Sequence, residues 1–170
     1  MVFVELLLLA IVLKILQIRA WDFERLGLRF SPVAALGGVA LYAAFIVAYY
    51  VIGFATFIVH PQLSAVKGIR FAVTAHPAIV LLLIVVNSFF EEIVVTGYVV
   101  SALAKHGAAF AISASTLLRF LYHTYQGPLG TLSILPMGLL YAAVFWRWRN
   151  LWPMLVAHSI MNSFSLLGSP

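Results

Sequence analysis

The sequence contains no cysteine, which excludes disulfide bonds, thiolate metal ligands and a cysteine nucleophile from any function proposed for it. Charged residues are also scarce, at 9% of the 170-residue chain, whereas a soluble domain carries roughly 25%. Such a chain cannot cover its own surface with polar groups, so its composition disfavours a soluble enzyme, a disordered tail and a nucleic-acid-binding protein. We therefore expect a protein whose solvent is the lipid bilayer, with no nucleic-acid partner.

Hydrophobic residues take the place of the missing charges, at 64% of the chain, and the mean hydropathy is +1.09. A transmembrane helix needs about 20 mostly apolar residues, and the hydropathy pattern predicts six such segments. They cover residues 2–18, 33–59, 78–104, 108–124, 131–146 and 151–168. We interpret Pro136 and Pro153 as marks of two helix starts. The expected fold is a single all-α, polytopic membrane domain over residues 1–170.

The few basic residues are unevenly divided among the predicted loops. The loops on one side of the membrane hold Lys67 and Arg70, whereas the loops on the other side hold six basic residues. These six are Arg19, Arg25, Arg29, Lys105, Arg147 and Arg149. The positive-inside rule places the more basic side in the cytoplasm and both termini outside it. All four tryptophans lie at the more basic loops, as expected of residues at a membrane surface.

Ionisable side chains inside the predicted spans are the features that point to function. Glu91 and Glu92 are adjacent in the middle of the third span, where a charge costs at least roughly 2.5–3.5 kcal/mol on insertion scales. Two further spans carry polar pairs: Arg119 and His123 on the fourth, and His158 and Asn162 on the sixth. Because the members of each pair are four residues apart, they share one helix face. We predict a polar cavity formed by the third, fourth and sixth spans.

Helical spacing gives the two glutamates different neighbours. Adjacent residues of an α-helix point about 100° apart, so Glu91 and Glu92 need not share a role. Asn87 lies one turn before Glu91, and Thr96 lies one turn after Glu92. Two residues that follow the fourth span, Tyr125 and Gln126, are candidates to supply hydrogen bonds at the floor of the cavity. The commoner explanation of a tyrosine at such a place is a position at the membrane interface.

The order of these motifs resembles a known family. Glu91-Glu92 is followed by Gly97-Tyr98, then by a helix ending in Tyr122-His123, and then by His158-x-x-x-Asn162. Over roughly residues 78–168 this resembles the CAAX protease and bacteriocin-processing family, whose members are intramembrane glutamic endopeptidases. The resemblance implies a multi-pass protein of a bacterial or archaeal cell membrane, with no metal and no cofactor. The partners that it implies are membrane lipids and a hydrophobic or lipidated, CAAX-like peptide substrate.

The resemblance also implies roles for five catalytic residues. Glu91 and His123 would position and activate a water molecule, while His158 and Asn162 would stabilise the oxyanion. Hydrogen-bond donors that are preorganised in a medium of low dielectric stabilise the oxyanion by roughly 3–4 kcal/mol each. Glu92 is counted with them as the second glutamate of the first motif. No serine or cysteine needs to attack, which agrees with a chain that lacks cysteine.

Two positions depart from the family pattern. The first motif reads Glu-Glu-x-x-x-Arg, but Thr96 occupies the arginine position here. The second reads Phe-x-x-x-His, but Arg119 stands four residues before His123 and Phe120 is one place late. We predict that Arg119 pairs with Glu92 across the helix interface and replaces the missing arginine. The alternative is that Arg119 extends to the lipid headgroups, and without compensation the chain would be an inactive member.

Three other interpretations remain open at this point. A glutamate and two histidines would suffice to bind zinc with a fourth position open for water, although the chain lacks the His-Glu-x-x-His motif. The same residues would serve as a proton relay or ion site in a small transporter. A purely structural scaffold is the third interpretation.

Overall fold

The computed structural model describes residues 2–64 and 75–167, and this part of the chain is helical with no β-strand. Its α-helices are α1 (Val2–Ile18), α2 (Pro32–Val59), α3 (Pro61–Ser64), α4 (Pro77–Glu91), α5 (Val99–Ala102), α6 (Ala108–Tyr122), α7 (Gly127–Trp148) and α8 (Trp152–Leu167). A π-helix, Glu92–Tyr98, joins α4 to α5, and 3₁₀ turns at Ala104–His106 and Thr124–Gln126 flank α6. The all-α prediction is thus confirmed for the described residues.

Each predicted span coincides with one of the longer helical segments. By length and composition, three segments in the described part of the chain are able to cross a membrane: Pro32–Val59, Pro77–Ala102 and Gly130–Trp148. Helix α6 is a shorter apolar helix. The number of spans therefore stays a prediction. Lys67 and Arg70, which represent the less basic side in the topology prediction, lie outside the described residues.

The fifth predicted span begins too late. Helix α7 starts at Gly127, with Pro128 in its first turn, and Pro136 lies inside the helix. The interpretation of Pro136 as a helix start is therefore wrong, because the first turn needs no N–H at Pro128 and membrane helices tolerate an interior proline. Pro153 is the second residue of α8, as predicted.

Small residues set the helix spacing around the site. A Cβ atom added at Gly38 of α2 would lie 2.5 Å from the Cβ atom of Val156 on α8. A Cβ atom added at Gly138 of α7 would lie 2.9 Å from Cγ2 of Thr116 on α6. Only glycine allows backbones to approach this closely, as is common between helices in lipid. These contacts hold α6 and α8, which carry the candidate site residues, against their neighbours.

The segment between α1 and α2 contacts the start of α8. Gly27 has φ +80°, a conformation that favours glycine, and its carbonyl oxygen accepts a hydrogen bond of 2.8 Å from the backbone N–H of Leu151. Asn150 donates from Nδ2 to the carbonyl oxygen of Arg29 at 3.0 Å. The start of α8 is therefore fixed to this segment by two hydrogen bonds.

Candidate active site

The candidate site is built around an irregular stretch of the third predicted span. Helix α4 ends at Glu91, and the seven residues Glu92–Tyr98 form a π-helix. Residues 78–104 were predicted as one span to which α-helical spacing was applied, and this π-helix was not predicted. Oγ of Ser115 on α6 donates to the carbonyl oxygen of Val95 at 2.7 Å, so a neighbouring helix supplies a hydrogen bond to the wide turn. Such π-helical turns are frequent at functional sites.

Glu92 is fully buried at the start of this π-helix. Its Oε1 atom lies 2.8 Å from Nη2 of Arg119 and 2.7 Å from Nδ1 of His158. Its Oε2 atom accepts a 2.6 Å hydrogen bond from Oγ1 of Thr96. Three partners therefore surround one carboxylate, which is what an ionised group needs in order to be buried.

Arg119 lies on α6 and is also fully buried. Besides its contact with Glu92, its Nη2 atom donates to Oγ1 of Thr96 at 3.1 Å, and Nη1 lies 3.4 Å from Oε2 of Glu91. The ring centre of Tyr141 is 5.8 Å from Cζ. The predicted ion pair of Arg119 with Glu92 is confirmed, and the alternative of a side chain that extends to the headgroups is wrong. Its functional role stays a prediction.

Glu91 has a different environment from Glu92. Its side chain is 13% exposed, and its Oε2 atom accepts a 2.6 Å hydrogen bond from the hydroxyl group of Tyr122. Nδ2 of Asn87 donates to Oε1 at 3.3 Å. Tyr122 was predicted only as part of the motif that precedes His123, because the pairing of a tyrosine on α6 with a glutamate on α4 depends on how the helices pack.

His123 terminates α6 and is buried. Its Nδ1 atom lies 2.8 Å from the carbonyl oxygen of Arg119, one turn earlier. A carbonyl oxygen only accepts hydrogen bonds, so Nδ1 carries the hydrogen and Nε2 of the neutral ring keeps its lone pair. The ring centres of His123 and Tyr122 are 4.3 Å apart, which places His123 next to the group that binds Glu91.

Helix α8 contributes two side chains that bind the α4 and π-helical region. His158 is buried and binds Glu92, as described above. Nδ2 of Asn162 donates to Oδ1 of Asn87 at 3.0 Å and lies 3.5 Å from Oγ of Ser88. The structure thus brings Glu91, Glu92 and His158 into one hydrogen-bonded cluster with Asn162, but the Asn162 amide is occupied by α4. The oxyanion role of Asn162 stays a prediction.

Tyr125 and Gln126 lie in the 3₁₀ turn after α6. Tyr125 is 59% exposed, and its ring stacks nearly parallel to that of His123 with 6.1 Å between centres. Nε2 of Gln126 donates to the hydroxyl group of Tyr125 at 3.3 Å. Tyr125 is therefore at the surface beside His123, and a hydrogen-bonding role for either residue in catalysis stays a prediction.

Glu5 on α1 is an acidic residue near the site that was not predicted. Its carboxylate interacts with the side chain of Asn87. It is also near enough to Glu91 for the two carboxylates to repel each other. Its Oε2 atom is buried and has no hydrogen-bond partner among the described residues. The signal was present, because Glu5 is one of five acidic residues in the chain and falls inside a predicted span.

A metal site needs several ligating side chains that converge. Within residues 2–64 and 75–167, no group of three or more histidine, cysteine, aspartate or glutamate side chains is arranged to hold a metal ion. Nδ1 of His158 is directed to Glu92, and Nδ1 of His123 is directed to a backbone carbonyl oxygen. The arrangement of these residues therefore gives the zinc interpretation no support.

The helices and the cluster between them define a class of protein, an all-helical membrane protein with an ion-paired glutamate–histidine cluster in its interior. Residues 73–164, just over half of the chain, match the family of Rce1-like, type II CAAX prenyl endopeptidases. The chain belongs to this family, and it is therefore a protease of the CAAX type and an integral membrane protein. No curated protein and no solved structure matches the chain.

Proposed function

We propose that this protein is an intramembrane glutamic endopeptidase that uses water to hydrolyse a peptide bond of a hydrophobic or lipid-anchored, CAAX-like substrate. One observation carries the proposal: α4, the π-helix, α6 and α8 bring two glutamates and two histidines together inside an apolar protein. Buried ionisable groups are costly in a membrane and mark functional sites. Six membrane spans and a bacterial or archaeal cell membrane are part of the same proposal.

The two glutamates differ in what they contribute to this chemistry. Glu92 has no exposed surface, whereas the Glu91 side chain is 13% exposed, so Glu91 is the carboxylate that a water molecule reaches. The Nε2 lone pair of His123 faces away from the helix that binds Nδ1 and is a second proton acceptor. We assign Glu91 and His123 to water activation. A positioned general base accelerates such a step typically by about 10²–10⁴-fold.

The reaction consumes one water molecule for each peptide bond. The base removes one proton from water, and the remaining hydroxide oxygen forms a bond with the carbonyl carbon of the substrate. The C–N bond then breaks, and the leaving nitrogen takes up one proton. The products are a new carboxyl group and a new amine, so the reaction needs no oxidant or reductant.

The proposal is tested by substitution of Glu91 in protein purified in detergent. A library of candidate peptides, each with and without a prenyl group, is incubated with the wild type and with Glu91→Gln. We expect cleavage to fall by at least about 10²-fold in the variant, while its thermal unfolding stays close to that of the wild type. Comparison of the two forms of each peptide shows whether the lipid is required.

The control is the same chemical change at Glu24, an exposed carboxylate that pairs with Arg29 in the segment between α1 and α2. Glu24→Gln should leave cleavage unchanged. Wild-type cleavage by Glu91→Gln at matched expression would remove Glu91 from the mechanism.

A further inference from the structure

The hydrogen bond between His158 and Glu92 restricts what His158 contributes to the reaction. Nδ1 of His158 lies 2.7 Å from Oε1 of Glu92, which also binds Nη2 of Arg119. A carboxylate paired with a guanidinium group accepts hydrogen bonds and donates none. Nδ1 therefore carries a hydrogen in this contact, and Nε2 is the ring nitrogen left for any substrate.

A neutral His158 held in this way has no N–H to offer to an oxyanion. The neutral imidazole ring has one N–H group, and the contact with Glu92 uses it. Nε2 becomes a donor only when the ring is doubly protonated, and an imidazolium proton can be transferred as well as shared. A histidine with a carboxylate bound to one nitrogen and the substrate at the other is the arrangement by which hydrolases transfer protons.

The surroundings of Glu92 fix this arrangement. Arg119 holds Oε1, and Thr96 binds Oε2 at 2.6 Å, so both carboxylate oxygens have partners in addition to His158. Glu92, Arg119 and His158 are all buried. Rotation of the His158 ring would break a hydrogen bond inside the protein without access to water, which is costly. The fold therefore fixes Nδ1 of His158 to Glu92 and leaves Nε2 as the nitrogen without this contact.

We propose that His158 is the general acid that protonates the leaving amine, and that Glu92 is its positioning residue. This assignment rests on the proposed function and deepens it. Glu91 or His123 takes one proton from the attacking water, and Nε2 of doubly protonated His158 gives one proton to the substrate nitrogen as the C–N bond breaks. His158 is then neutral, and transfer of the first proton through solvent restores both groups. Arg119 and Thr96 act through Glu92 by holding its carboxylate.

The experiment compares two substrates with the same acyl part. One is the peptide amide, whose nitrogen must be protonated to leave, and the other is a nitrophenyl ester, whose phenolate leaves without a proton. His158→Gln keeps an N–H group for Glu92 but has no transferable proton. We expect amide cleavage to fall by about 10²–10⁴-fold and ester cleavage by less than about tenfold. Glu91→Gln should lower both rates, because both substrates need activated water.

Equal losses on the two substrates would overturn the assignment, because an oxyanion donor serves both reactions alike. Unchanged amide cleavage in His158→Gln would overturn it as well. If Glu91→Gln cleaves both substrates normally, the proposed function itself fails, which is a distinct result.

If His158→Gln does not fold, the wild type decides the matter with a series of anilide substrates. A rate that depends weakly on the pKa of the leaving amine is expected of general acid catalysis. A steep dependence would contradict it.

Discussion

Two apolar segments of similar length differ in how much of each is buried in this protein. Pro32–Val59 and Pro77–Ala102 are each long enough to cross a membrane, yet 6% of the most apolar stretch of the first is buried, against 44% of the second. The first segment has no charged residue, whereas the second carries Glu91 and Glu92 near its middle. Polar groups at that depth need partners inside the protein. Hydropathy alone therefore does not distinguish the two segments, whereas their polar residues identify the one that lies in the interior.

Of these changes, Arg119→Leu should have the largest effect, because it acts on Glu92 in the buried segment Pro77–Ala102. The substitution leaves Glu92 buried without its cation, and removal of one partner of a buried ion pair costs about 3–5 kcal/mol. We expect a loss of this size in the free energy of unfolding in detergent, together with loss of cleavage. Arg147→Leu is the matched control, since Arg147 is exposed, and its effect should stay within about 0.5 kcal/mol.

Addition of Thr96→Arg to the Arg119→Leu variant tests the replacement hypothesis directly. Position 96 carries the arginine in the family pattern, and Oγ1 of Thr96 already lies 2.6 Å from Glu92. Part of the stability and part of the cleavage should return. An Arg119→Leu variant with wild-type stability and cleavage would show that the ion pair does not matter.

A smaller effect distinguishes two glycines of α2. A methyl group at Gly38 would meet Val156 on α8 at 2.5 Å, whereas a methyl group at Gly53 meets no atom within 4 Å. Gly38→Ala should lower the free energy of unfolding by about 1–3 kcal/mol, which is typical of overpacking. Gly53→Ala should be neutral or stabilising by up to about 1 kcal/mol, because alanine favours the helix.

Thermal or denaturant unfolding in one detergent measures both variants. Equal effects at the two positions would show that α2 does not pack on α8 as described. A loss at Gly53→Ala alone would place the exposed side of α2 in a protein contact.

The smallest effect is expected from metal removal. The described side chains offer no converging metal ligands, so exhaustive chelation should leave cleavage unchanged. Elemental analysis of the purified protein should find less than one metal ion per chain. One tightly bound zinc ion that is needed for turnover would instead make the protein a metalloprotease. The polar residues of Pro77–Ala102 would then contribute to a metal site.

The sequence predicted well those features that depend on residue type and spacing alone. Helix α1 has the predicted bounds, residues 2–18, because it follows a mostly apolar run that only Glu5, Lys14 and Gln17 interrupt. The contact between Arg119 and Glu92 was predictable, since each buried charge needs a partner and few charges exist. The π-helix was not predictable from periodicity. It receives a hydrogen bond from Ser115 on another helix, and such contacts depend on the packing.

The residues around Glu91 show the same limit. Tyr122 and Glu5 lie within predicted spans, but their distance from Glu91 depends on the rotation of α6 and α1 about their axes. The predicted place of Pro136 at a helix start failed for a different reason. A proline that begins a helix and one that lies inside a membrane helix have the same local sequence signal, and Pro128 is the one at the start.

Arg119 takes part in the site through two chemically independent groups. Its guanidinium group binds the two glutamates, and its backbone carbonyl oxygen binds Nδ1 of His123. Any residue at position 119 retains that carbonyl oxygen, so a substitution there removes the positive charge without removing the acceptor that orients the histidine. Movement of the last turn of α6 would instead displace both together. Neutralisation of the glutamates and orientation of His123 are thus separable by mutation, but a movement of this turn affects both.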